Sequence, residues 1–304
     1  MIQKFASKLR NYILRPVLDV LQARSLSHEL PGGMYSPMAS IDQKVLSLLY
    51  KQQYHLKCSP VLFKDVGFRV HSQHEEDGIL LFIFSLIGTT NKRCVEICAG
   101  DGIECNTANL IINHGWIGLL CDGNETNVSK AKQFYSANPD TRAWPPTVIR
   151  EWITKDNVNR VIQENGFTGQ IDLLSFDIDG VDYWLWEEIS CISPRVLVLE
   201  FNHLWGPDVS VSVPYQEDFV AEFTQYGSDY AGASLKAFVK LNKKKGYRLV
   251  GTNAISTNAF FVRDDIPCDW LPEIDASTCF DHPRAQFGMK HRLPGVRNKE
   301  WVEI

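Results

Sequence analysis

The stretch YRLVGTNAISTNAFFVR, residues 247–263, decides the fold. It holds two strand-like runs, 247–253 and 257–263, parted by three residues. Three residues cannot hold the helix that a parallel crossover needs, so the runs predict an antiparallel hairpin. Upstream, RCVEIC (93–98), IGLLC (117–121), TVIR (147–150), IDLLSFD (171–177) and RVLVLEF (195–201) are short and nearly all apolar. Amphipathic segments at 105–114, 127–137, 156–165 and 182–190 fill the gaps. Apolar strands alternating with helices predict a parallel sheet covered on both faces. The expected class is α/β: a Rossmann-like, mostly parallel seven-stranded sheet closed by the C-terminal antiparallel hairpin.

Around this domain, expected over 61–264, lie two flanking segments. Residues 1–60 read as a helical N-terminal extension broken at PGGMYSP (31–37). Within it, 2–21 has an amphipathic pattern, Ile2, Phe5, Leu9, Ile13 and Val17 against Lys4, Lys8, Arg10 and Arg15, interrupted by Pro16. Its apolar stripe suits packing on the domain or on a second copy, so a homo-oligomer through these helices is an expectation. Residues 265–304, rich in Pro, Asp and Arg, read as a surface tail.

The chain is 44% apolar and 22% charged, as in ordinary globular proteins. A net charge of -5 argues against chain-wide affinity for nucleic acid. ILLFIFSLI (79–87) is about half the length of a membrane span and suits a buried helix. The eight cysteines form no CxxC pair, which fits reduced thiols and a cytoplasmic location better than a metal cluster or disulfide framework.

Four constellations carry the candidate chemistry. Glu96, Gly100 and Gly102 end the first strand just before a helix, where backbone N–H groups can approach a ligand and Glu96 can meet a cation. Asp122 ends the second strand, 20 residues beyond Gly102, where a carboxylate can accept both hydroxyls of a ribose. Glu151 and Trp152 follow the third strand, where an acid and an aromatic suit adenine. Asp177, Asp179 and Asp182 follow the fourth strand, while Glu200, Asn202 and His203 follow the fifth. Ligands bind at the carboxyl ends of the strands in such sheets, so these groups converge on one crevice. Asp177, Asp179, Glu200 and Asn202 could hold Mg²⁺, and Asp179 or His203 could act as general base. Ser72 and Glu75 have capping-box spacing. Tyr230 and Ser234, in a glycine-bearing segment, are candidates for contact with substrate.

Five parallel strands closed by a hairpin are the methyltransferase variant of the doubly wound sheet. A nicotinamide dinucleotide would fit the first three constellations, making an oxidoreductase the alternative enzyme. Cys105 stands where the third glycine of the dinucleotide fingerprint prefers Gly or Ala, and the hairpin suits that reading poorly. A catalytically silent scaffold is the non-enzymatic alternative, disfavoured by the acids crowded into one crevice.

SQHEEDGIL (72–80), VEICAGDGIECNT (95–107), GWIGLLCDGN (115–124), LLSFDIDGVDYWLW (173–186) and LEFNHLWGP (199–207) resemble FkbM-like class I methyltransferases. The resemblance spans about residues 70–263. It implies S-adenosylmethionine as cofactor and commonly O-methylation of a glycan or small metabolite; Asp177, at the end of the fourth strand, is a further candidate for cofactor binding. Cys98 departs from the usual loop, which carries glycine at that position.

Overall fold

A computed structural model describes residues 37–225 and 227–304. The amphipathic segment 2–21, and any association through it, lies outside the described residues. The main sheet contains β1 (Arg93–Ile97), β2 (Ile117–Asp122), β3 (Thr147–Arg150), β4 (Gly169–Phe176) and β5 (Ile192–Glu200), all parallel. Short strands β6 (Val211–Ser212), β7 (Glu222–Thr224) and β8 (Gly227–Tyr230) lie outside it. The hairpin then supplies β9 (Tyr247–Thr252) and β10 (Asn258–Arg263), and the sheet order is β3-β2-β1-β4-β5-β10-β9. The chain runs to the sheet edge first and returns, so that β10 is antiparallel to both β5 and β9. This is the expected Rossmann-like sheet, seven-stranded and mostly parallel with one inverted strand.

Alternation along the strands explains the two cores. Cys94, Leu120, Leu173, Val196 and Val198 point to one face, where helices α1 (Pro37–His55), α3 (Glu76–Ile87), α4 (Ala108–His114) and α5 (Glu125–Ala137) pack; the four-residue α2 (Phe63–Val66) sits beside them. Val95, Leu119, Leu174, Leu197 and Leu199 point to the other, against α6 (Val158–Glu164), α7 (Asp182–Glu188) and α8 (Leu235–Lys245). Strands buried on both faces read as unbroken apolar runs for this reason. Helix α1, expected within a separate extension, sends Leu46 and Tyr50 fully into the first core. The ILLFIFSLI segment forms the body of α3 and is buried rather than membrane-spanning in length.

The segment after β10 is folded as well. Trp270, Leu271, Cys279 and Phe280 are buried, and α9 (Pro283–Phe287), a π-helical turn (Gly288–Arg292) and α10 (Leu293–Val296) follow. β11 (Val302–Glu303) then pairs with β6. What the sequence presents as a surface tail crosses the carboxyl edge of the sheet and reaches the crevice.

Candidate functional site

Two neighbouring cavities open at the carboxyl ends of the strands. The smaller, about 190 Å³, is lined by Cys98, Asp122, Gly123, Glu151, Trp152, Ile153, Ile178 and Asp179, and by Phe219, Val220 and Ala221 from the loop before β7. The larger, about 310 Å³, is lined by Gln73, His74, Asp177, Asp179, Glu200, His203, Thr257, Arg284 and Arg292. Asp179 faces both.

The smaller cavity has apolar walls and a polar rim. Trp152, 53% exposed, is oriented by its indole N–H, which donates to the Glu217 carbonyl at 2.7 Å. A Cβ on Gly123 would come within 2.9 Å of that indole, so a side chain there would push the wall aside. Glu151 carries Arg160 at 3.2 Å at the rim. Asp122 accepts Gly100 N–H at 2.9 Å through one oxygen and Asn124 N–H at 2.8 Å through the other. It thus ties the loop after β1 to the start of α5, whose cap is Asn124.

The loop glycines do less for a ligand than expected. Gly100 spends its N–H on Asp122 and Gly102 is buried, with a Cβ there meeting Ala131 at 3.0 Å. Neither lines either of these two cavities; Cys98 lines the smaller, in a left-handed backbone of φ +64°. Glu96 turns away from the crevice. Its carboxylate accepts Asn106 N–H at 2.9 Å and Thr107 N–H at 2.8 Å, fixing the turn into α4. Any contact between Glu96 and a cofactor therefore passes through the loop.

The acids of β4 and β5 meet in the larger cavity. Ligand oxygens of Asp177, Asp179 and Glu200 lie within 4.8 Å of one another. Burial pushes the Asp177 carboxyl up to about 7, opposed by its hydrogen bond with Glu200, which burial and Asp177 push up in turn. Asp182 does not cap α7. Its two oxygens accept Ile178 N–H at 3.0 Å and Gly180 N–H at 3.1 Å, holding the bend in which Asp179 has φ +54°.

Several expected roles change. Asn202 lines the larger cavity, but its amide donates to the Asp229 and Ala231 carbonyls at 3.0 and 2.9 Å and its oxygen accepts Leu204 N–H at 3.0 Å. It clamps the backbone at 229–231 to the turn at His203. His203 is held down to about 3 by burial, with Arg292 and Arg284 adding to the effect, so it is neutral and a poor base at neutral pH. Its Nε2 is buried without a partner. Tyr230 and Ser234 line neither cavity. The Tyr230 hydroxyl donates to the Glu300 carbonyl at 2.7 Å, and Ser234 is the fully buried cap of α8. Ser72 pairs with Asp77 rather than Glu75: Ser72 Oγ accepts Asp77 N–H at 3.2 Å, and Asp77 accepts Ser72 N–H at 2.8 Å. That exchange sets Gln73 and His74 at the cavity mouth. Gln73 and His74 lie within the quoted stretch 72–80 without having been singled out, and no sequence motif marked Arg284 or Arg292.

No family model matches the chain, and no curated protein matches it. Solved structures do. An S-adenosylmethionine-dependent methyltransferase from Clostridium acetobutylicum ATCC 824 is 11% identical, with 72% of this chain and 98% of that chain covered and a TM-score of 0.40. Magnesium protoporphyrin IX methyltransferase from Synechocystis PCC 6803 with bound SAM is 12% identical over 83% and 95% of the chains, at 0.34. A glycopeptide N-methyltransferase complexed with sinefungin is 8% identical over 58% and 82%, at 0.37.

Proposed function

We propose that this protein is an S-adenosylmethionine-dependent methyltransferase of FkbM-like type that methylates a hydroxyl of a glycan or small metabolite. One observation carries the reading: two cavities meet at Asp179 on the carboxyl edge of the sheet, one apolar and aromatic, the other acidic. A donor and an acceptor held in neighbouring compartments need only a near-attack alignment for group transfer.

The residues present fit the cofactor. Ile153, Ile178 and the Trp152 ring offer adenine-sized apolar walls, and Asp122 at the rim suits ribose hydroxyls. Bound, the cofactor supplies an electrophilic methyl group on a sulfonium. Asp177 and Asp179 line the larger cavity next to the adenosine-sized one, where carboxylates favour a cationic methionyl tail. Asp179 would accept the acceptor's hydroxyl proton as general base.

The acidic trio also fits a hard cation, since its donors are all carboxylate oxygens. Asp177, Asp179 and Glu200 would hold Mg²⁺, which would lower the pKa of the acceptor hydroxyl. Titrating Mg²⁺ into chelator-treated protein should give saturable heat that Asp179→Asn abolishes. Absence of heat removes the metal and leaves the base.

Calorimetry with S-adenosylhomocysteine, beside NAD, tests the main reading. Binding of S-adenosylhomocysteine alone is the expected result. Tight NAD binding with no response to S-adenosylhomocysteine overturns it in favour of an oxidoreductase.

A further inference from the structure

Most polar side chains around the larger cavity have an internal partner. Arg292, in the π-helical turn, is neutralised by Asp229: its Nε donates at 2.9 Å, and both side chains are 8% exposed. Asn202 is spent on backbone, and the Thr257 hydroxyl accepts from Asn253 at 2.8 Å. Arg284 differs. It comes from α9 and lines the same cavity, yet among the described residues its guanidinium makes no hydrogen bond or ion pair. Only its backbone N–H is engaged, with His282 Nδ1 at 3.1 Å.

Arg284 is exposed on its helix, but the enclosure that the cavity gives it weakens its hold on its proton, the neighbouring Arg292 adds to the effect, and Glu200 opposes it from beyond ion-pair distance. Two guanidiniums kept close together repel, and the counter-charge of the second, Asp229, is already committed. His203, 6% exposed, also lines this cavity, and its Nε2 is buried without a partner. Gly288 fixes that ring, since a Cβ there would stand 2.8 Å from Nε2. An unpaired planar fork at a cavity wall is a donor for an oxyanion, which a guanidinium can bind through two parallel N–H groups.

Resting on the transferase reading of the crevice, we propose that Arg284 receives an anionic oxygen group of the methyl acceptor. The acceptor is then a hydroxylated carboxylate or phosphate ester rather than a neutral alcohol or sugar. The acids that would meet the reacting hydroxyl come from the strand ends, and the guanidinium comes from the C-terminal segment. An acceptor spanning the cavity would thus be read at its anionic end and deprotonated at the other.

One rival source of the same chemistry exists, the carboxylate of the cofactor's methionyl tail. The test separates the two by filling the cofactor site first. Full-length protein saturated with S-adenosylhomocysteine is titrated with benzoate and, separately, with inorganic phosphate. Wild type should bind at least one of them, and Arg284→Gln should weaken that binding about tenfold to hundredfold, the loss of a charged hydrogen-bonded pair. Arg284→Lys should recover part of it, and S-adenosylhomocysteine should bind all three proteins equally. The side chain is exposed on a short helix, and matched unfolding curves check that the variants fold.

The proposal falls if neither anion binds the saturated protein in an Arg284-dependent way. It also falls if Arg284→Gln weakens S-adenosylhomocysteine itself tenfold, for the guanidinium then serves the cofactor. Repeating the anion titration on protein without S-adenosylhomocysteine keeps the two readings apart. Arg284-dependent anion binding in a protein that ignores S-adenosylhomocysteine would leave the anion site standing and the transferase reading fallen.

Discussion

Cys98 takes a left-handed backbone at the first bend after β1, with its side chain exposed to the smaller cavity and its sulfur 4.0 Å from Asp122. Burial and the surrounding acids, Asp122 first among them, push the thiol upward and keep it protonated. A left-handed conformation costs an L-residue about 1–2 kcal/mol, whereas glycine adopts it freely but loses about 0.5–1 kcal/mol through its unfolded-state freedom. Cys98→Gly should therefore stabilise the fold by about 1 kcal/mol or less in urea unfolding; a clear loss of stability would mean that the thiol's packing outweighs the strain. Asp122→Ala should behave differently, losing about 1–3 kcal/mol of S-adenosylhomocysteine affinity as a charged acceptor is removed. Unchanged affinity would take Asp122 out of the proposed cofactor site. At this scale sequence position is a poor guide to where a carboxylate turns. Glu96 and Asp122 both end strands, but the orphan N–H groups at Asn106 and Thr107 capture Glu96, while Asp122 stays at the cavity rim.

At the opposite end of the sheet, β4 and β5 are locked by Asp172 and Arg195, 0% and 8% exposed and 2.9 Å apart. Asp172 also accepts the N–H groups of Thr90, Asn91 and Lys92, and Arg195 donates to the Gly88 and Ile87 carbonyls. Removing one partner of a buried pair strands the other charge, so Asp172→Ala should cost about 3–5 kcal/mol in denaturant unfolding. A loss below about 1 kcal/mol would mean that the pair is solvated in solution. Burial alone would raise the Asp172 carboxyl, but Arg195 and the backbone donors outweigh it and hold it below the usual range. A depressed carboxyl gives its stability above the unfolded value and loses it only as pH falls through the folded one, so this lock fails only in strong acid. The main-sheet strands were legible because burial on both faces leaves continuous apolar runs, and the hairpin because its connection is too short for a helix. β6 was not legible: two residues carry no period, and they form a strand because Val302 and Glu303 return to pair with them. Arg284 escaped for a similar reason, since a five-residue helix reaches the crevice by tertiary packing alone.

Across the whole molecule, the crevice is walled by segments on both sides of the parallel strands in sequence, Gln73 and His74 before them and Arg284 and Arg292 after them. The chain before the sheet is anchored by a buried polar seam as well as by Leu46 and Tyr50. Gln43 of α1 exchanges hydrogen bonds with Asn109 of α4 at 3.1 and 2.9 Å, and His114 Nε2 donates to Gln43 Oε1 at 2.7 Å. Burial, reinforced by Lys92 and Lys44, holds His114 down to about 4 from an ordinary 6.5. The folded state therefore binds a proton at this site less readily than the unfolded state does. Above pH 6.5 both states are neutral and the histidine adds no pH dependence. As pH falls below 6.5 the unfolded chain takes up the proton first, so stability declines until the folded value near 4 and then levels off. At about 1.4 kcal/mol per pH unit, the loss over this window reaches about 3 kcal/mol. His114→Gln cannot titrate and can still donate to Gln43, so subtracting its stability from that of wild type at each pH isolates this one group. The difference should shift against wild type by up to about 3 kcal/mol between pH 6.5 and 4. A flat difference, or one that favours wild type in acid, would mean that His114 is solvated and that the seam joining α1 to α4 opens in solution.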